Sequence, residues 1–360
     1  MWPCSSDAST QLASPPSAGE ITVRNYGAFN WSVSGLRKAA EKRERRRFKF
    51  ALYVYNDALT QTATPRKSGE SAMRFGLGTP IVVTPGSGTV PWERSAGIEE
   101  LTQIAVAADR LGYLHMSCSE HVAVPTEEEA GRGLTFWDPL ALFGFLAART
   151  TRIRFATYIL VLGYHHPLAI AKRYGTLDAV SGGRLTLGLG VGNLEKEFDL
   201  LDAPFSDRGE RADDAIRALR AAWAQPVPRY EGKYYSFSDL AVIPHAVQPR
   251  APIWIGGKSR RSLRRAVELG DAWAPVFVPL PEIRAMLDAF DLPPGFEVVL
   301  QTRAVDPLGD RDGALAEIEA LAAAGATLGH LKVAHTSLSH YLEQIEAFAE
   351  LASLAAAPSG

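Results

Sequence analysis

The sequence predicts an α/β protein built as a single (β/α)8 TIM barrel. Three observations predict it. From Met73 onward, short β-rich runs alternate with amphipathic helical runs, eight of each over about 280 residues. Such alternation implies parallel strands joined by crossover helices. Stop and cap signals fall at the junctions between the runs, and both the count and the length suit a barrel. A doubly wound open sheet is the second choice.

The elements follow in order. Strands are predicted at 75–79, 113–118, 153–159, 185–189, 253–256, 272–276, 297–304 and 330–334. Helices are predicted at 96–111, 138–149, 168–180, 208–223, 259–269, 281–289, 312–324 and 338–353. Asp138-Pro139 reads as an N-cap followed by proline at the first helical position. Ser181-Gly182-Gly183 reads as a helix stop, and Gly270-Asp271 closes the fifth helix in the same way. Two long connections interrupt the pattern. The first, 79–95, follows strand one and is expected to overhang the strand C-termini, where barrels build their active sites. The second, 226–250, contains Tyr230-Glu231-Gly232-Lys233-Tyr234-Tyr235-Ser236-Phe237, which predicts a hairpin. It follows a helix, so it is expected at the opposite end of its unit or wrapped around the outside.

Residues 1–72 read differently. They carry 11 Lys and Arg against 6 Asp and Glu, while the remainder of the chain is net −7. A Ser/Pro/Ala-rich stretch at 13–18 precedes a basic cluster at Lys42, Arg43 and Arg45 to Arg47. No helix or strand period is sustained there. The expectation is a disordered basic extension over 1–72, a barrel over 73–354 and a flexible tail over 355–360. A nucleic-acid or targeting arm is the rival reading of the extension.

Composition removes several classes of function. A net charge of −2 and a pI near 6.5 give no global attraction to nucleic acid or anionic membranes. Two cysteines cannot form a disulfide framework or a thiolate metal cage. No apolar run approaches the roughly 20 residues that cross a bilayer, and no secretory-signal layout opens the chain. A cytoplasmic protein with a small-molecule substrate is expected, as a homodimer, with no nucleic acid or membrane partner and no metal. No Walker loop or His-Glu-x-x-His occurs, and His165-His166 are adjacent, so in a strand they would face opposite ways.

In a barrel, chemistry belongs at the C-terminal ends of strands. Ser119-Glu120-His121 follows strand two, and imidazole titrates near neutral pH, so His121 is the candidate general acid or base. Gly188, Gly190 and Gly192 alternate through the end of strand four. They allow either close approach of a ligand to the backbone or a crowded barrel interior. Gly256-Gly257-Lys258-Ser259 is a tight turn feeding a helix, followed by Arg260 and Arg261. It is a candidate phosphate cradle or a plain strand-to-helix turn. Trp92, Phe136 and Trp137 are candidate pocket-wall aromatics.

Taken together, these segments resemble the luciferase-like flavin and deazaflavin monooxygenase and reductase family over roughly 73–354. The most specific stretch runs from Ser181-Gly182-Gly183-Arg184 through Gly192, then Glu197-Phe198 and Arg208-Gly209-Glu210-Arg211. Asp138-Pro139-Leu140, Thr151-Arg152-Ile153-Arg154, His166-Pro167, Pro252-Ile253-Trp254-Ile255-Gly256-Gly257 and Gly270-Asp271-Ala272-Trp273 follow suit. The resemblance implies a bacterial-luciferase-like TIM barrel with a flavin or deazaflavin ring at the strand C-termini. The branch it looks most like depends on coenzyme F420, with FMN the alternative. It implies His121 beside the reactive ring face and a non-proline cis peptide at Thr157-Tyr158. It implies Val191, Gly192 and Asn193 lining the cofactor, and Gly256, Gly257 and Ser259 on its phosphate side. The activity implied is hydride transfer between reduced F420 and a small organic substrate, with an FMN-dependent monooxygenase or a non-catalytic flavin-binding relative as alternatives. Two departures stand out. No Trp follows His121 within 122–125, and Asn193 replaces the Glu of some deazaflavin relatives. Both disfavour sugar-phosphate dehydrogenase chemistry.

Overall fold

The computed structural model describes residues 73–84 and 90–355. The predicted extension at 1–72 and the tail at 356–360 lie outside the described residues. Eight parallel strands form the central sheet. They are β1 (Arg74–Leu77), β2 (His115–Cys118), β3 (Arg154–Thr157), β4 (Leu185–Gly190), β5 (Ile253–Gly256), β6 (Ala272–Ala274), β7 (Glu297–Val305) and β8 (Leu328–Val333). Each strand pairs with its neighbours in sequence, β8 pairs with β1, and β4 with β5, so the sheet closes into a barrel. The main helices are α1 (Ile98–Leu111), α2 (Pro139–Ala147), α3 (Pro167–Ser181), α4 (Arg208–Ala224), α5 (Arg260–Leu269), α6 (Leu280–Leu287), α7 (Arg311–Ala323) and α8 (Leu338–Ala355).

Local sequence explains the helix limits. In α1 the buried Leu101, Ile104, Ala105 and Ala108 fall three and four apart and form one apolar stripe toward the core. Glu100 reaches back to the Gly97 N–H at 2.7 Å, and Gly112, at φ +83°, ends the helix. Asp138 caps α2 by accepting from Ala141 N at 2.7 Å, with Pro139 next. His166 caps α3 through Nδ1, and Gly182 stops it at φ +71°. Gly270 stops α5 without a positive φ. A Cβ there would lie 2.9 Å from Ile255 and 3.0 Å from the Ala266 carbonyl, so crowding selects that glycine.

Five strand ends depart by two residues from expectation, the first strand stopping at Leu77 and the second beginning at His115. The sixth strand stops at Ala274, because Pro275 has no N–H to give the ladder. The eighth begins two residues early, at Leu328. The third stops at Thr157, and the chain turns through a cis peptide bond between Tyr158 and Ile159. It then pairs again with β4 at Leu160 and Val161. The cis bond therefore lies one residue beyond the Thr157-Tyr158 pair.

The connection after β1 pairs Val83–Thr84 antiparallel with Thr135–Phe136, which brings the β1 and β2 loops together. The 226–250 connection forms its hairpin from Tyr230–Glu231 and Ser236–Phe237. Asp214 of α4 holds it, accepting from Tyr234 N, Tyr235 N and the Tyr230 hydroxyl. Asp178 of α3 accepts from Val247 N and Gln248 N farther on. The segment thus wraps the outside of the barrel.

Two cores result. The larger fills the space between strands and helices. The smaller fills the barrel lumen with Ala156, Trp254, Ala272, Ala274, Val299 and Leu328, joined by Leu114 and Tyr158.

Candidate functional site

The strand C-termini carry a polar network that begins at the end of β2. Glu120 is buried and turns away from its neighbour. It accepts from Val161 N at 2.9 Å and from His165 Nε2 at 2.6 Å, tying β2 to the chain after β3. His121 points the other way. Its Nδ1 lies 2.6 Å from Glu197 Oε2, its Nε2 lies 3.2 Å from an Arg132 nitrogen, and the ring meets Phe136 edge-on at 4.5 Å. Arginine can only donate. Nε2 is therefore the acceptor, and the proton is assigned to Nδ1, which donates to Glu197.

Glu197 is the hub. Fully buried on the short helix Glu195–Leu200, it also accepts from Val122 N at 2.6 Å, Ala123 N at 3.1 Å and the Tyr164 hydroxyl at 2.6 Å. Burial by itself would raise its pKa, but these donors outweigh burial and hold it below the ordinary carboxylate value. A fixed charge is thus maintained behind His121. Arg132 comes from the helix Glu129–Arg132 on the β2 loop, and its Nε is buried without a hydrogen-bond partner among the described residues, 3.7 Å from Glu128 Oε2.

Under this network, Tyr158 stacks on His330 of β8 with ring centroids 4.2 Å apart and planes 12° apart. Its hydroxyl is buried with no partner among the described residues. Ser119 donates to the Tyr158 carbonyl at 2.9 Å. His330 continues into the lumen, with Nδ1 3.1 Å from His115 Nε2 and Nε2 3.3 Å from Ser117 Oγ. Burial holds both histidines well below the ordinary value, His115 down to about 3, so both rings are neutral.

The glycines answer the alternatives left open by the sequence. An added Cβ would come within 2.1 Å of the Thr157 carbonyl at Gly188. It would come within 2.0 Å of Ile159 Cδ1 at Gly190, and within 2.8 Å of the same atom at Gly256. The Thr157 carbonyl takes the space at Gly188 and Ile159 takes it at Gly190 and Gly256, so lumen crowding selects them. At Gly192 a Cβ would meet Phe198 at 2.6 Å, and the residue takes φ +78°. Its carbonyl accepts from Arg208 Nε at 3.1 Å. Gly257 takes φ +119° and packs on Ser262, which shares a capping box with Ser259. Thr157 is fully buried, its hydroxyl donated to the Gly188 carbonyl at 2.7 Å. Val191 is half-buried and Asn193 exposed. The structure thus brings His121, Tyr158, Val191, Gly192, Asn193 and the Gly256–Ser259 turn to one end of the barrel, with Thr157 behind them.

The wall aromatics separate. Trp92 donates from Nε1 to His335 Nδ1 at 3.1 Å beside the end of β8. Phe136 touches His121, and Trp137 packs into the core. Among the described residues no group of three His, Cys, Asp or Glu is placed to hold a metal ion. No helix among them is long and apolar enough to cross a membrane.

The pattern that defines the luciferase-like monooxygenases matches residues 73–304. The chain belongs to that family. A Mycobacterium bovis protein without assigned function is 31% identical over 182 residues, covering 47% of this chain and 62% of that protein. An F420-dependent glucose-6-phosphate dehydrogenase of Microbacterium testaceum is 30% identical over 200 residues, covering 54% and 58%. The chain therefore spans about three-fifths of the length of the curated relatives it matches. Among solved structures, the monooxygenase RslO1 of Streptomyces bottropensis superposes with a TM-score of 0.63 at 22% identity, over 79% of this chain and all of that one. The oxygenating component of 3,6-diketocamphane monooxygenase of Pseudomonas putida, with FMN, gives 0.59 at 16%, over 79% and 98%. An F420-dependent secondary alcohol dehydrogenase with an F420–acetone adduct gives 0.59 at 14%, over 77% and 99%. These likenesses show a shared fold: this family member is a luciferase-like barrel.

The residues of this network are unevenly visible in the sequence. Glu197 was part of a recognised motif but carried no role, and Arg132, Tyr164 and His330 carried no signal. A carboxylate seventy-six positions from its histidine has no local spacing by which to be found.

Proposed function

We propose that this luciferase-like protein is an oxidoreductase that exchanges a hydride between coenzyme F420 and a small organic substrate. The observation that carries the reading is the 30% identity to an F420-dependent dehydrogenase within the same family. The barrel end fits a flat heteroaromatic cofactor. The buried Tyr158 hydroxyl has no protein partner among the described residues, and a buried polar group of that kind calls for a ligand or water partner. Tyr158, Val191, Gly192 and Asn193 would hold the ring with Thr157 behind them, and Gly256, Gly257 and Ser259 would face the phosphate side. Reduced F420, when bound, supplies a two-electron hydride.

The rest falls to the protein. His121 would carry a proton at Nε2, with Glu197 orienting the ring through Nδ1, the base-and-orienter arrangement that proton transfer requires. Arg132 occupies Nε2 here, so it has to move aside for His121 to work. Asn193 cannot act as an acid, so the sugar-phosphate substrate of the relative is not carried over.

FMN-dependent monooxygenation is the second reading, favoured by the fold shared with two monooxygenases. Absorbance titrations with F420 and with FMN separate the readings. Binding of F420 is the expected result. Binding of FMN alone would replace it with the second reading, and binding of neither would remove both.

A further inference from the structure

Lys332 ends the inward row of β8. Leu328, four residues earlier, packs in the lumen, and His330 bonds across it to His115 and Ser117. Residues two apart on a strand share a face, so the Lys332 side chain rises over His330 at the barrel mouth. Its charge is felt there. Burial first, then His115 and Lys332, keep His330 unprotonated.

The backbone of Lys332 is committed to Thr302, with its N–H 2.8 Å from Oγ1 and its carbonyl accepting at 3.3 Å. The ammonium has no hydrogen-bond or ion-pair partner among the described residues. Protein surrounds it closely enough to lower its pKa by burial, yet the side chain remains open to solvent. As the last inward position of β8, the ammonium stands at the open end of the barrel, above His330. The nearest polar cluster on the chain offers no relief. Trp92 Nε1 donates to His335 Nδ1, and His335 Nε2 faces Glu93 at 3.4 Å. Glu93 in turn accepts from Ile81 N, so these groups satisfy one another.

An ammonium has three donors, and the described residues supply it no acceptor. An anion from outside would satisfy it and gain a desolvated charge partner. We infer that Lys332 binds an anionic group, phosphate or carboxylate, of the molecule held at the barrel mouth. The anion belongs either to the cofactor's phosphate or to the substrate. Only the identity of that molecule rests on the proposed function.

The test uses the full chain, with Lys332→Met removing the charge and Lys332→Arg keeping it. FMN is compared with riboflavin, and F420 with its phosphate-free deazaflavin core. If the cofactor phosphate is the anion, Lys332→Met weakens the phosphorylated member about tenfold or more and leaves its partner unchanged, while Lys332→Arg restores it. If the substrate supplies the anion, cofactor affinity is the same in all three proteins. Inorganic phosphate then slows acetic anhydride labelling of Lys332 in cofactor-loaded wild type by about threefold, read by peptide mass spectrometry. Unchanged affinity ratios together with phosphate-independent labelling overturn the inference. If wild type binds neither FMN nor F420, the functional reading fails. Labelling of the free protein with and without phosphate then still decides the role of Lys332.

Discussion

His121 and His330 both stand near the strand C-termini of one barrel, and their surroundings are opposite. His121 has a carboxylate on one nitrogen and a guanidinium on the other. His330 has a second histidine, a serine hydroxyl and the face of Tyr158, with no carboxylate bonded to it. The first arrangement retains a charge that can stabilise an added proton. The second, fully buried, resists protonation because burial penalises the charge and His115 and Lys332 oppose it. The difference separates a histidine proposed to transfer a proton from one that fills the lumen.

The largest expected effect tests the carboxylate. Glu197→Ala leaves four donors without an acceptor and should cost about 3–5 kcal/mol of stability. Urea unfolding reports it, and a loss near that of an ordinary surface substitution would reduce the hub to a bystander. Next is turnover. With an accepted substrate at saturation, His121→Ala should lower kcat by about 10²–10⁴ while changing cofactor affinity little. A variant that keeps kcat and loses affinity would make His121 a packing residue and erase the contrast with His330.

The lumen side is sharpened by crowding. Gly190→Ala should destabilise by about 1–3 kcal/mol, and Ile159→Ala in the same chain should recover part of that loss, because the two side chains compete for one space. Strict additivity in denaturant unfolding would contradict the assignment of that space to Ile159.

The smallest effect is a slope. His115 and His330 have folded pKa values below the unfolded value near 6.5, so the unfolded chain binds more protons at acid pH. Their contribution is fully present above about pH 6.5 and is lost as pH falls toward the folded values, by about 1.4 kcal/mol per unit for each ring. Stability measured between pH 6.5 and 5 should be less steep in His330→Gln by about one such increment. An unaltered slope would mean that the lumen pair is not the source.

Much of the barrel was legible in the chain. Helix limits such as Asp138-Pro139 and Gly182 are written locally, since a cap or a positive φ involves only residues within a turn. The eightfold alternation and the hairpin at 230–237 are legible for the same reason, because period and turn chemistry are short-range. His121 was legible as a candidate because a strand end in a barrel is a known address for chemistry.

What the tertiary structure alone decided lies in long-range pairing. The glycines at 188, 190 and 256 are compatible with a ligand or with a neighbour. Only the fold brings the Thr157 carbonyl against Gly188 and Ile159 against Gly190 and Gly256. The partners of His121 lie 76 and 11 residues away, and the neutral pair His115 and His330 is 215 apart. Lys332 looks like any other lysine until closure of the barrel sets it above His330 at the mouth, without an acceptor among the described residues. Composition and periodicity set which segments are strands and helices. The state of a side chain depends on which distant groups exclude water from it, and that is fixed only when the sheet closes.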